Sequence, residues 1–223
     1  MEIWFVRGGT LFPATRTRPL VDGGVARLAL ATLVAGTTRR EEAAGIRSYV
    51  PSDTRFSLAV AGGTARVDLS RDFFTGDDTT VQFRQAQVVY TLTQYPTISS
   101  VRFLSGGEPM GGPWARTDFT DPQPPIVVLQ PSIGQIVSSP VTVSGTANVF
   151  EATVSVRILD AAGAELATTF TTATCGSGCR GVYSVDVAFT VDAEQPATIE
   201  VYEVSAKDGS RTHVVTIPVT LTP

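Results

Sequence analysis

The sequence predicts two domains of different fold class, a small α+β domain followed by an all-β sandwich. Its 223 residues suffice for two domains, since domains are commonly about 100 to 150 residues long. Helical and strand periodicities alternate up to residue 104, whereas strand periodicity alone continues after residue 126. The charge changes as well, because residues 1–119 hold thirteen Arg, no Lys and eleven acidic residues, a net charge of +2, and the remainder holds −6.

The first domain opens with a strand and a helix. Residues 2–6 read as a short strand, and Gly8-Gly9 then allows a turn with positive φ. Residues 11–19 are expected to form a loop. Residues 24–36 place apolar side chains at helical spacing on one face, and Gly36 suits the C-terminal cap. We therefore expect a helix that is buried on one side.

A polar segment and a hairpin follow this helix. Residues 37–48 are compatible with a short second helix that starts near Thr38, or with a polar excursion from the domain. Residues 56–60 and 65–69 alternate apolar and polar side chains on either side of Gly62-Gly63. This pattern predicts a β-hairpin with a two-residue turn.

A second long helix and a strand, residues 79–94 and 98–104, complete the domain. Asp77-Asp78 most simply starts the helix, because Asp accepts N–H groups at a helix N-terminus. Calcium ligation is the alternative, although no Asp-x-Asp-x-Asp-Gly pattern is present. The helix is expected to bury a stripe made of Val81, Val88, Val89, Leu92 and Tyr95. It is expected to expose Gln82, Arg84, Gln87 and Gln94.

A Gly- and Pro-rich stretch separates the two halves. We place the α+β domain at residues 1–111, a linker of restricted flexibility at residues 112–125, and the second domain at residues 126–223. Trp114 lies in the predicted linker, and a side chain of this size could pack onto either domain.

The second domain reads as a β-sandwich. Residues 141–146 and 154–159 alternate apolar and polar side chains and are joined by a short polar corner. Seven strands in about one hundred residues, with no helix between them, are typical of an immunoglobulin-like sandwich. The predicted strands lie near residues 126–129, 141–146, 152–159, 165–172, 182–189, 197–204 and 212–220.

The two cysteines occur as Cys175-Gly-Ser-Gly-Cys179. Small residues between them allow the sulfur atoms to meet, and closing so short a loop is worth roughly 2 kcal/mol. A disulfide is therefore predicted, which would indicate an oxidising compartment. Metal ligation by the two cysteines is the alternative with a functional role. However, zinc takes three or four ligands, and His213 is the only histidine. Reduced buried thiols are the third reading.

Composition and motifs argue against several function classes. The near-balanced charge disfavours nucleic-acid binding, which needs a basic stripe. No run of eighteen apolar residues occurs, so membrane attachment is expected only through an anchor outside this sequence. No G-x-S-x-G elbow is present, His213 is expected as a surface imidazole, and we expect no enzyme activity, cofactor or metal. The distance between the paired carboxylates of a glycosidase depends on the fold and not on their spacing in the sequence. The sequence alone therefore leaves an enzyme of this class open.

The residues also carry a family resemblance. The first domain resembles the GerM-type (GerMN) domain of bacterial sporulation and germination proteins, through Trp4-Phe5-Val6-Arg7, the helix up to Gly36, Val67-Asp68-Leu69-Ser70 and the segment 86–93. The second is similar to the immunoglobulin-like module of spore germination proteins, through the segments 144–151 and 205–210. The resemblance implies an extracytoplasmic protein, secreted or anchored on the bacterial surface, whose first domain has a ring-building-like fold.

Three functions follow as hypotheses. The first is a non-catalytic cell-envelope protein that assembles with a protein partner or with itself. The second is a peptidoglycan- or glycan-binding module, for which aromatic platforms are candidates: Trp4, Phe12, Tyr49, Phe73, Phe74 and Trp114. An enzyme acting on wall polymers is the third.

The predicted interaction surface comprises Arg16, Arg18, Arg39, Arg40 and Trp114. Its arginines are expected to meet acidic residues of the second domain in a neighbouring copy: Glu151, Asp186, Glu200 and Glu203. Such head-to-tail pairing closes to a ring or continues as a filament. The alternative is that these arginines are ordinary solvated surface and the chain is a monomer.

Overall fold

The structure, a computed structural model, describes residues 1–19, 24–119 and 122–223. The chain divides into two compact units, Met1–Pro122 and Gln123–Pro223. The first mixes helices and strands, and the second consists almost entirely of strands.

In its described residues the first unit contains two small sheets, three α-helices and two short 3-10 helices, Arg71–Phe74 and Arg116–Asp118. One sheet has the order β2-β1-β3, with β1 at Glu2–Arg7, β2 at Thr10–Thr15 and β3 at Ile46–Arg47. The other has the order β4-β5-β6-β7, built from Phe56–Ala61, Thr64–Leu69, Ser100–Ser105 and Glu108–Pro109. The helices are α1 at Gly24–Val34, α2 at Arg39–Ala43 and α3 at Asp78–Leu92. The prediction of one sheet with two helices was therefore too simple.

The first hairpin corrects the predicted loop at residues 11–19. Gly8 and Gly9 have φ of 58° and 80°, and the chain returns at once as β2, antiparallel to β1. The second hairpin, β4-β5, is confirmed with its turn at Gly62-Gly63. Strand β6 then pairs with β5 in parallel, so this sheet is mixed.

Both polar helix starts are confirmed as caps. The Thr38 hydroxyl accepts the Glu41 N–H, and the Glu41 carboxylate accepts the Thr38 N–H at 2.6 Å, which is a complete capping box. The Asp77 carboxylate accepts the Thr80 N–H at 2.9 Å and the Thr80 hydroxyl at 2.8 Å. These two hydrogen bonds lower the pKa of Asp77, so this carboxylate caps the start of the helix.

Side chains of α3, together with Gln94 just beyond its end, take the place of a neighbouring strand along part of β1. Strand β3 pairs only with the last two residues of β1, which leaves the backbone of Glu2 and Trp4 without a strand on that side. Gln94 donates to the Glu2 carbonyl at 2.7 Å and accepts its N–H at 2.8 Å. Thr91 accepts the Trp4 N–H at 3.0 Å, and Gln87 donates to the Trp4 carbonyl at 3.0 Å.

This arrangement corrects the predicted solvent face of α3. Gln87 is fully buried, and its Oε1 also accepts the Tyr49 N–H at 2.9 Å. The Arg84 guanidinium reaches the carbonyls of Tyr49, Phe73 and Thr75. Polar side chains on this helix therefore satisfy backbone groups that no strand or helix pairs.

The segment after β7 packs against the first unit. Trp114 and Val101 exchange backbone hydrogen bonds, both 2.8 Å long. Arg116 donates to the Tyr90 carbonyl at 2.9 Å, and its guanidinium lies 4.7 Å from the Tyr90 ring centre and 5.6 Å from that of Trp4. Burial lowers the pKa of this guanidinium. Residues 114–119, predicted as linker, thus form part of the α+β unit.

The second unit has the seven predicted strands and an additional short one. The strands are β8 (Ile126–Gln130), β9 (Ile136–Val137), β10 (Val141–Ala147), β11 (Thr153–Asp160), β12 (Glu165–Thr172), β13 (Gly181–Val187), β14 (Gln195–Val204) and β15 (Arg211–Leu221). One sheet has the order β13-β10-β8 and the other β12-β11-β14-β15-β9. The two-residue β9 runs parallel to β15, so the count of seven was one short in the described chain.

Close backbone approach fixes the smaller sheet. Gly145 in β10 faces β8 so tightly that a Cβ there would lie 1.9 Å from the Val127 carbonyl oxygen. The buried Tyr183 hydroxyl donates to the same carbonyl at 3.1 Å. Only glycine fits beside this oxygen, and a bulge interrupts the β8–β10 register at Ser144/Gly145.

Candidate functional site

The predicted arginine surface divides into a buried and an exposed part. Arg16 forms an ion pair with Glu41, and their side chains are only 11% and 9% exposed. Its guanidinium also lies 5.5 Å from the Phe5 ring centre. Arg16 is therefore a structural group that ties α2 to the end of β2, and its place in the predicted interaction surface is corrected.

The other arginines of this surface are solvent-exposed. Arg18 follows β2, and Arg39 and Arg40 occupy the first turn of α2. On the second unit, Glu151 and Asp186 are exposed, and Asp186 accepts the Thr142 hydroxyl at 2.6 Å. The other two predicted acidic partners are held by contacts within the unit. Glu200 pairs with Arg157 at 2.6 Å, and Glu203 is buried.

Trp114 lines a cleft of about 340 Å³ in the first unit. One wall is the N-terminal half of α3, where Thr79, Gln82, Phe83 and Ala86 follow helical spacing on one face. The opposite wall is the segment after β7, which provides Trp114, Asp118, Phe119 and Pro122. Gly9 of the β1–β2 turn and Gln85 complete the lining.

The remaining aromatic candidates mostly belong to the core. Trp4, Phe12 and Phe73 are at most 6% exposed, and Phe74 packs edge-on against Phe73. Tyr49 is exposed and stacks on Phe83, with ring centres 5.2 Å apart. Only Trp114 and Phe83, with the unpredicted Phe119, bring aromatic rings to the cleft.

A second candidate surface lies on the outer face of the five-stranded sheet. Phe170 in β12 is 71% exposed, the highest exposure among the large apolar side chains described. It lies across from Ser155, which lies across from Tyr202, so these side chains share one face, although Ser155 and Tyr202 are themselves buried. Thr168 and Thr172 flank Phe170 and are exposed. Period-two alternation contains this signal, but Phe170 was not among the predicted site residues.

His213 has a carboxylate partner, Glu203, that the sequence did not predict. Its Nδ1 lies 2.7 Å from Glu203 Oε2, and Glu203 Oε1 accepts the Phe150 N–H at 2.8 Å. The His213 backbone has φ of 52°, next to an irregularity in the β14–β15 register. The imidazole is thus held in place at one nitrogen, and its side chain is 46% exposed.

The cysteine loop closes as predicted. Cys175 and Cys179 form a disulfide that clips the loop between β12 and β13. The loop packs closely on the backbone that precedes β11, since a Cβ on Gly176 would lie 2.5 Å from Ala152 N. Ser177 N–H donates to the Val149 carbonyl at 2.9 Å.

The described residues contain neither a cluster of metal-ligating side chains nor a helix that could cross a membrane. Within residues 1–19, 24–119 and 122–223, no three His, Cys, Asp or Glu side chains group as a metal site. No helix in the same described ranges combines the length and apolar character needed to cross a membrane.

The two units define a class of protein in which an α+β domain precedes an immunoglobulin-like sandwich. Residues 5–111 match the family described as "Sporulation and spore germination", and residues 125–210 match the family "Immunoglobulin-like domain of bacterial spore germination". The two matches follow one another along the chain, so it combines a domain of the sporulation and spore germination family with the immunoglobulin-like domain of bacterial spore germination. One description names sporulation and spore germination, the other names spore germination, and neither names an enzyme.

Solved structures give more distant likenesses. The tandem GerMN domains of the sporulation protein GerM from Bacillus subtilis share 19% identity, over 99% of this chain and 59% of that chain, with a TM-score of 0.46. The first GerMN domain of that protein shares 25% identity, over 55% of this chain and 94% of that one, at a TM-score of 0.43. A putative lipoprotein from Clostridium perfringens shares 18% identity, over 53% and 87%, at 0.39. The chain thus spans less than two thirds of the tandem-domain structure. No curated protein matches it.

Proposed function

We propose that this protein is a non-catalytic component of the bacterial cell envelope that works by protein–protein assembly. The observation that supports this most is Phe170, a large aromatic side chain left 71% exposed on a sheet face. A ring this exposed is available to a partner, and aromatic side chains dominate the binding energy of many interfaces. The sporulation and germination family fits such a role.

An extracytoplasmic location is part of the proposal. The Cys175–Cys179 disulfide supports it, because disulfides persist in oxidising compartments such as the bacterial exterior. The family descriptions, which concern spore formation and germination, are consistent with work at the envelope.

Charge would guide this assembly without holding it together. The first 119 residues have a net charge of +2 and the remainder −6, and Arg18, Arg39 and Arg40 remain exposed on the positive unit. Exposed charges interact over about 8 Å at physiological salt. Attraction between copies would therefore speed association and weaken as salt rises.

Sedimentation velocity of the full chain, over a range of concentrations at low and high salt, tests the proposal. We expect reversible self-association that Phe170→Thr reduces. Ile136→Thr is the matched control. Ile136 is also highly exposed, at 62%, but it lies on β9, at the opposite edge of the five-stranded sheet from β12. Its replacement should therefore leave association unchanged.

A protein partner other than a second copy is tested in cells. A photo-crosslinking amino acid at position 170 should give adducts, whereas the same group at position 136 should not. A chain that stays monomeric under all conditions, and that forms no adduct specific to position 170, would refute the assembly function.

A further inference from the structure

We propose that the cleft beside Trp114 binds a neutral carbohydrate, one or two rings of a glycan chain. This inference goes beyond the assembly function and is independent of it, because the cleft belongs to the first unit and the assembly surface to the second. A volume of about 340 Å³ is at the small end of the roughly 300–1,000 Å³ usual for ligand pockets.

The walls of the cleft combine aromatic rings with neutral polar groups. Phe83, Trp114 and Phe119 offer ring faces or edges, and Gln82, Gln85 and Thr79 offer amide and hydroxyl groups. A sugar ring has the same two kinds of surface, since C–H groups cover its faces and hydroxyls lie around its rim. Amide and hydroxyl side chains both donate and accept hydrogen bonds, which suits hydroxyls that do the same.

Trp114 contributes ring surface to the cleft and not a hydrogen-bond donor. Its Nε1 is buried and has no hydrogen-bond acceptor in the described chain, and a Cβ on Gly112 would lie 3.1 Å from it. The polar groups offered to a sugar are therefore those of Gln82, Gln85 and Thr79.

The Trp114 wall is held in place before any ligand arrives. The Trp114 backbone is paired to Val101, and its indole is packed 6.1 Å from the Phe119 ring. A Cβ on Gly112 would lie 2.7 Å from the indole Cδ1, so only glycine leaves room for the ring in this position. The Asp118 carboxylate accepts the Ala115 N–H at 2.6 Å, which fixes the turn. Binding would therefore lose little side-chain freedom.

Charge selects among the possible ligands. No Lys or Arg belongs to the described lining, and Asp118 is the one charged side chain there. Phosphates and acidic peptides are recognised by Arg clusters, so an anionic ligand is disfavoured. A purely apolar ligand would leave the glutamine amides without partners. A neutral polyhydroxylated ligand satisfies both conditions.

The two tryptophans provide a matched test. The probe is chitotetraose, four β-1,4-linked N-acetylglucosamine units, used with the full chain and followed by saturation-transfer NMR and tryptophan fluorescence. Trp114→Leu removes the aromatic ring from the cleft and should weaken binding about 3–10-fold, the loss expected for one aromatic contact. Trp4→Phe changes the other tryptophan, which does not line the cleft, and should leave affinity unchanged.

Trp4→Phe also leaves Trp114 as the only tryptophan, so any fluorescence change on titration then reports on the cleft. Gln82→Ala with Gln85→Ala should weaken binding further, and a thermal melt establishes that each variant is folded.

Three results would overturn the proposal. The first is the absence of saturation transfer to chitotetraose at millimolar concentration, and the second is equal weakening by both tryptophan variants. The third is binding of tetraglycine in place of the sugar, which would assign the cleft to a peptide. None of these results bears on self-association, so the assembly function stands or fails separately.

Discussion

Replacing Gln87 by methionine tests whether side chains of α3 substitute for a strand along β1. Methionine has a similar length and is well tolerated in cores, so the main change is the loss of the amide. The Trp4 carbonyl and the Tyr49 N–H then lose the partners that they have at 3.0 and 2.9 Å. An unsatisfied buried backbone group costs about 1–3 kcal/mol, so we expect the free energy of unfolding of the first unit to fall by about 2–5 kcal/mol.

Urea unfolding followed by tryptophan fluorescence measures this loss for the first unit alone. Both tryptophans, Trp4 and Trp114, lie in that unit, so the signal does not include the sandwich. With a slope of about 2 kcal/mol per molar urea, the middle of the usual range, the midpoint should fall by roughly 1–2.5 M. Gln82→Met, at an exposed position of the same helix, should change stability by about 0.5 kcal/mol at most. Equal losses in the two variants, or a loss in Gln87→Met of less than about 1 kcal/mol, would refute the reasoning.

Two predictions concern the sandwich. Gly145→Ala should lower its melting temperature strongly or prevent folding, because the new Cβ would lie 1.9 Å from the Val127 carbonyl oxygen; Ser144→Ala is the control, and far-UV circular dichroism that shows similar melts for both would contradict it. Burial raises the pKa of Tyr183 above its ordinary value of 10.0, so the folded state keeps the phenol protonated while the unfolded state ionises. The free energy of unfolding should be unaffected by this group below about pH 10 and fall above it by up to about 1.4 kcal/mol per pH unit. Chemical unfolding at several pH values checks this, and an equal decline in Tyr183→Phe would count against it.

Local pattern was sufficient wherever a turn or a cap decides the structure. The Gly62-Gly63 hairpin and the caps at Thr38 and Asp77 all depend on residues within a few positions of each other. Strand β2 was missed because Pro13 interrupts its pattern. Proline is tolerated in edge strands, and β2 is an edge strand, but a sequence does not show which strand will lie at the edge.

Polar side chains caused the other errors. Gln87 was assigned to solvent because amides are usually exposed, yet it is buried where a strand partner is missing. Arg16 was assigned to a surface, yet it pairs with Glu41. The cleft joins α3 to a segment about thirty residues later in the chain, so no spacing rule could bring Gln82 and Trp114 together. Such pairings are set by tertiary packing.

The polar contacts between α3 and β1 also determine the position of the helix along and around its own axis. An α-helix rises about 1.5 Å and turns about 100° for each residue, so a slip by one residue would break the contacts of Gln87, Thr91 and Gln94 at once. Apolar packing alone tolerates sliding far better than these directional hydrogen bonds do. The hydrogen bonds therefore fix the register of the helix against the strand. The position of Gln82 and Phe83 relative to the sheet is thus determined by contacts at the C-terminal end of the same helix.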